Sequence, residues 1–120
     1  MAITDDLITE KAKLFAIRII RLYQHLTEKK KEFVLSKQVL RSGTSIGANR
    51  TEAVYAFSGK DFLYKNEIAL GECAETLYWL ELLNTTGYIT MKQFTSISAD
   101  CNELLKLLAT TVKSLKKKNG

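Results

Sequence analysis

The sequence predicts an all-α chain folded as an up-down-up-down antiparallel four-helix bundle, and three observations carry the prediction. Apolar residues recur at three- and four-residue spacing in four long stretches, with no competing period-two alternation. Proline is absent from all 120 residues, so no position loses its backbone donor or crowds the preceding turn. The breaks between the stretches are short, and short connections lay consecutive helices antiparallel. The whole chain, 1–120, fits one domain large enough to bury a core.

The first helix is expected from about Asp5 to Lys29. Ile8, Ala12, Phe15, Ile19, Leu22 and Leu26 share one face of it. Leu14, Ile17 and Ile20 form a second apolar set on the opposite side. A helix packed only within its own bundle does not need that set, which makes it a candidate oligomer interface. Lys29, Lys30 and Lys31 close the helix where cations suit the negative end of its dipole.

The second helix is expected from about Phe33 to Phe57, with a stripe of Leu35, Val39, Ser42, Ile46, Asn49, Ala53 and Phe57. Gly43 and Gly47 flank that stripe, each costing about 1 kcal/mol relative to alanine in a helix interior. Close approach of a neighbouring backbone is the expected compensation. Ser58 and Asp61 resemble a loose capping box that opens a third helix, about Lys60 to Thr86. That helix is apolar on two sides: Phe62, Leu70, Cys73, Leu77 and Leu80 on one, Tyr64, Ile68, Gly71, Tyr78 and Leu82 on the other. It should be nearly enclosed, at the bundle centre or between subunits.

Gly87 is the expected stop of the third helix, and Thr90 with Gln93 a second capping box. The fourth stripe is the cleanest: Phe94, Ile97, Cys101, Leu104, Leu108, Val112 and Leu115. The end, Lys116 to Gly120, is expected to fray.

Composition narrows the function classes. The chain is 46% hydrophobic and 26% charged, ordinary for a globular protein, with a net charge of +5 that suits acidic partners and nucleic acid first. The stretch 1–13 is polar and carries Asp5, Asp6 and Glu10, unlike a signal peptide. Arg18 and Arg21 interrupt the most apolar early run, so no membrane span is expected and a cytoplasmic location is. Cys73 and Cys101 stand far apart without a CxxC pattern and read as buried, reduced thiols.

No catalytic or metal constellation emerges. Di-iron bundles use Glu-x-x-His pairs, but the single histidine, His25, has Leu22 three residues before it. Ser45 and Cys73 lack a visible base, and the glycines of the second helix follow no strand, as a phosphate loop requires. The expectation is a non-enzyme without cofactor or small-molecule substrate.

The informative segment is Arg41 to Glu52. Arg41, Ser45, Asn49 and Glu52 fall near one line along the second helix, while Ser42 and Asn49 sit within its apolar stripe. A polar side chain in a core stripe needs a partner or costs about 1–3 kcal/mol. Glu67, Glu72 and Glu75 of the third helix are the available partners. A polar network joining the two helices is expected, with Arg41 neutralising at least one carboxylate.

The run Arg41, Ser45-Ile46, Asn49, Glu52 resembles the R-x-x-x-S-I-x-x-N-x-x-E signature of a family of small four-helix-bundle proteins. Its members include proteins encoded in intervening sequences of bacterial large-subunit ribosomal RNA genes. The stretch from Lys65 to Leu80, with Glu75 ahead of Trp79-Leu80, is similar to the family's second signature. The resemblance covers nearly the whole chain. It implies a homo-oligomer, a pentameric barrel of bundles, and kinship with the accessory variability proteins of diversity-generating retroelements. Those proteins partner a reverse transcriptase and nucleic acid.

Lys11, Lys13, Arg18 and Arg21 line the non-core side of the first helix and are the candidate nucleic-acid contacts, RNA or DNA. A solvated surface on a purely structural or protein-binding ring is the alternative.

Overall fold

The structure, a computed structural model, describes residues 3–119, with side chains described over 7–118. Four helices account for nearly all of it: α1 (Ile3–Glu28), α2 (Leu35–Val54), α3 (Gly59–Thr85) and α4 (Met91–Asn119). α1 packs on α2, α2 on α3, α3 on α4, and α4 returns to α1, while among the described residues the backbones of the diagonal pairs stay more than 8 Å apart, Cα to Cα. With connections spanning only 29–34, 55–58 and 86–90, consecutive helices alternate in direction. The result is a rod of 46 × 22 × 21 Å. α4 continues to Asn119, and Gly120 of the expected frayed end lies outside the described residues.

Local chemistry sets the helix ends. The Ser58 hydroxyl accepts from the Asp61 N–H at 3.1 Å. Thr90 and Gln93 bond reciprocally: the Thr90 N–H donates to Gln93 Oε1 at 2.8 Å and the Gln93 N–H to Thr90 Oγ1 at 3.1 Å. At the end of α3, Gly87 takes φ +84°. Tyr88 N–H then donates to Leu83 O at 2.9 Å and Gly87 N–H to Asn84 O at 3.1 Å, the paired bonds of a Schellman stop.

The start of α2 carries a device that the sequence pattern did not reveal. Glu32 is buried, and its carboxylate accepts from the N–H groups of Val34, Leu35 and Ser36, the last at 2.7 Å. The Ser36 hydroxyl returns a bond to Glu32 O at 2.8 Å. Burial alone would raise the Glu32 pKa, but these donors together hold it below the usual carboxylate value of 4.5.

The core contains Ile8, Ala12, Phe15, Ile19 and Leu26 of α1 and Ile97, Cys101, Leu104 and Leu108 of α4. In α2 the buried set is Ser36, Val39, Ser42, Gly43, Ile46, Arg50 and Ala53. This departs from the expected stripe. Asn49 is only half-buried, and Phe57 is fully exposed because α2 ends at Val54. Val39, Ser42, Ile46 and Ala53 are buried as expected, and the seam widens on one side to take in Ser36, Gly43 and Arg50, which hydropathy alone does not select.

α1 comes close at both glycines, through the Ile19 side chain at Gly43 and the Ala12 backbone at Gly47. A β-carbon at Gly43 would sit 2.7 Å from Ile19 Cγ1, whereas one at Gly47 would meet Ala12 Cβ at an ordinary 3.5 Å. α3 is not enclosed within the chain. Its face toward α2 and α4 buries Asn66, Ala69, Cys73, Thr76, Leu80 and Leu83, but Tyr64, Gly71 and Tyr78 are exposed.

Candidate functional site

Two polar systems join α2 to α3, and they differ in burial. The first lies on the half-exposed side of the α2–α3 contact. Arg41 pairs with Glu72 at 3.0 Å and also with Glu75, and the Trp79 indole N–H donates to Glu75 at 3.0 Å. The indole bond holds the Glu75 carboxyl below the usual carboxylate range, against partial burial, with Arg41 adding to it. Glu52 pairs with Lys65 of α3 at 2.8 Å.

The remaining residues of the expected network go elsewhere. Ser45 donates to Arg41 O at 2.6 Å and Asn49 Nδ2 to Ser45 O at 2.8 Å, both within α2. Glu67 faces α4 and pairs with Lys116 at 3.3 Å. Asn49 thus belongs to its own helix, because four residues of helix return its amide to a carbonyl one turn back.

The second system is buried. Arg50 is wholly buried, the largest such side chain among the described residues. Its Nη1 donates to Asn66 Oδ1, and its guanidinium lies 5.6 Å from the centre of the Phe62 ring. Asn66 Nδ2 donates in turn to Phe62 O at 2.8 Å. Above this pair, Thr76 Oγ1 and Ser42 Oγ meet at 2.8 Å, which gives Ser42 its partner in the core. Arg50 was missed because a cation on a core seam contradicts hydropathy; its position seven residues after Gly43 was the available signal.

The candidate nucleic-acid residues lie along the α1–α4 contact, the loosest of the four helix pairings. Long polar side chains bridge it. Lys11 pairs with Glu103 at 2.8 Å. Arg18 pairs with Asp100 at 2.7 Å and donates to the Ser96 hydroxyl at 3.0 Å. Between Arg18 and the start of α4 lies a groove of about 510 Å³. Arg18, Arg21, His25 and Lys92, with Gln93 and Ser96, supply its polar rim, Leu22, Ile89 and Ile97 its apolar floor, and no carboxylate of the described residues lines it.

Lys13 is not part of this patch. It lines the opposite side of α1, in a shallow groove of about 490 Å³ with Thr44, Gly47, Thr51 and Glu52 of α2. The four predicted contacts therefore divide, three along α4 and one along α2. Lys92 joins the three from the first turn of α4, a contribution invisible without the helix pairing.

Among the described residues no histidine or carboxylate is bonded to Ser45 or Cys73, the possible nucleophiles. Cys101 Sγ donates to Cys73 O at 3.4 Å between buried positions. A side-chain interaction with Cys101, followed by burial, pushes the Cys73 thiol pKa up and keeps it protonated. Among the described residues no group of three or more histidine, cysteine or acidic side chains could hold a metal ion. No described helix is long and apolar enough to cross a membrane. Two apolar faces stay uncovered: Leu7, Leu14, Ile17 and Ile20 on α1, at 40–55% exposure, and the tyrosine face of α3.

Comparison with known proteins follows this geometry closely. The model of the family described as "23S rRNA-intervening sequence protein" matches residues 4–110. A solved structure from Bacteroides thetaiotaomicron superimposes with a TM-score of 0.91 at 52% identity, covering 92% of this chain and 99% of that one. It is described as a protein of unknown function from the S23 ribosomal protein family. No curated protein matches the sequence.

Proposed function

Because the chain belongs to the family of 23S rRNA-intervening sequence proteins, we propose that it is a non-enzymatic, homo-oligomeric accessory protein that binds nucleic-acid phosphates along the α1–α4 groove. The observation that carries the reading is the groove itself: Arg18, Arg21, His25 and Lys92 over an apolar floor, with no carboxylate of the described residues in the lining. The first turn of α4 adds the positive end of its dipole. Arg18 is already matched by Asp100, so Arg21 and Lys92 carry the uncompensated charge.

One subunit presents few cations, and repetition around a ring, a pentamer in the favoured form, multiplies weak phosphate contacts. No side-chain pattern for reading bases accompanies them, so binding is insensitive to sequence. The names of the family and of its solved relative both refer to ribosomal components, which makes structured RNA the first ligand to test. A nucleic-acid enzyme such as a reverse transcriptase is the protein partner this reading accommodates.

The test is a fluorescence-anisotropy salt titration with structured RNA and duplex DNA. Affinity should fall with a log–log slope of about −0.9 per phosphate contact on duplex and about −0.7 on single strands. Arg21→Gln with Lys92→Gln should flatten the slope and leave the oligomer intact. The uncovered apolar faces of α1 and α3 favour a second reading, a protein-only ring; absence of binding at low salt would decide for it.

A further inference from the structure

We propose that the outward face of α3 receives the outward face of α1 from a second copy of this chain, joining copies head to tail. The inference rests on the homo-oligomer proposed above and names its contact.

Gly71 marks the centre of the α3 face. Glycine is a poor helix former, retained at a cost unless something needs the space. Within the chain nothing does: a β-carbon at Gly71 meets no atom within 4 Å. Tyr64 and Tyr78 stand two turns to either side, 58% and 54% exposed. The seven-residue spacing puts all three on one line, a shallow saddle with an aromatic ring at each end.

The α1 face supplies the matching ridge. Leu14, Ile17 and Ile20 are 55%, 43% and 40% exposed. α1 and α3 lie on a diagonal of the bundle and these two faces are turned to its outside, so neither can cover the other within one copy. Charge selects the pairing. Around the α1 ridge Lys11 and Arg18 are already paired with Glu103 and Asp100 of α4, which leaves Lys13 and Arg21 as the cations that flank it. On α3, Glu72 and Glu75 are paired with Arg41, Glu67 with Lys116 and Lys65 with Glu52, which leaves Asp61 and Glu81 against Lys60. Face-to-face α1 would set cations against cations, and face-to-face α3 carboxylates against carboxylates. Only α1 on α3 joins opposite signs. Two different patches make a heterologous contact, which closes into a ring when its rotation divides the circle.

Light scattering with size exclusion tests this on three proteins: the wild type, Leu14→Glu with Ile17→Glu, and Gly71→Gln with Tyr78→Glu. Circular dichroism checks that each stays helical, and Gly71→Gln alone, which adds bulk only where the chain leaves open space, serves if the double change unfolds. Each variant alone should run at the monomer mass of 13.6 kDa. Their equimolar mixture should form a pair of twice 13.6 kDa and nothing larger, because each variant keeps one intact face. A wild-type oligomer whose variants keep its full mass, or variants that do not pair when mixed, would overturn the α1–α3 contact alone. A monomeric wild type at micromolar concentration would overturn the homo-oligomer with it, while the salt titration judges nucleic-acid binding separately.

Discussion

At the scale of single residues, Arg50 and Gly43 carry the most consequence. Arg50 is a charge taken wholly out of water, held by Asn66 and the Phe62 ring. Truncating such a group strands its partners and leaves a cavity, so Arg50→Ala should cost about 3–5 kcal/mol. Arg50→Met keeps the apolar stem and removes the charge, and should cost clearly less. Urea denaturation of both variants checks the order. Gly43 and Gly47 should respond with opposite signs to alanine. At Gly43 the new methyl would sit 2.7 Å from Ile19 Cγ1, on a stiff β-branched side chain. Overpacking of about 1–3 kcal/mol then outweighs a propensity gain of about 1. At Gly47 the nearest atom is 3.5 Å away, and Gly47→Ala should gain up to about 1 kcal/mol. Equal shifts in the two melting temperatures would contradict this.

At the scale of elements, α2 shows how one helix can be fixed at its start by a buried carboxylate. Glu32 satisfies three N–H groups that the first turn would otherwise leave orphaned. Its folded pKa lies below 4.5, so the unfolded chain binds its proton first as pH falls. The contribution is therefore complete above pH 4.5 and is lost as pH drops through the lowered folded value. Glu32→Gln should cost about 1–2 kcal/mol at pH 7, in line with loss of a charged cap. The gap between variant and wild type should narrow below pH 4.5. Parallel stability curves across that range would remove the carboxylate from the account. The other caps, Ser58 on α3 and the Thr90–Gln93 pair on α4, conform to short sequence patterns, and both were legible in advance. Glu32 was not, because it reaches forward from a position that carries no hydroxyl or amide signature.

At the scale of the whole molecule, the α1–α4 pairing decides what the basic side can do. Its ion pairs are exposed on both partners, 40% and 52% for Arg18 and Asp100. Pairs of this kind contribute about 0–1 kcal/mol and are screened by salt. Their larger effect is on charge: Asp100 and Glu103 quench two of the cations that line α1. Asp100→Asn should therefore leave stability within about 1 kcal/mol and strengthen RNA binding by freeing Arg18. Anisotropy titration beside a urea melt measures both. Unchanged affinity would place the phosphate contact away from this groove.

What the sequence determined by itself was the architecture: four helices, their order, most of their caps and the core faces of α1 and α4. Those follow from periodicity and local hydrogen bonding, which act over a few residues and leave their mark in the string. The Arg41–Glu75 pairing was also within reach, since opposite charges on adjacent helices have few alternatives. Only the tertiary structure decided that Arg50 occupies the core seam, that Asn49 turns back to its own helix, and that Lys13 parts from Arg18. Each depends on the rotation of one helix against its neighbours, a single angle shared by twenty or more residues. A small offset in that rotation exchanges a half-buried asparagine for a buried arginine, and no window of sequence shorter than the packed pair contains the information to set it.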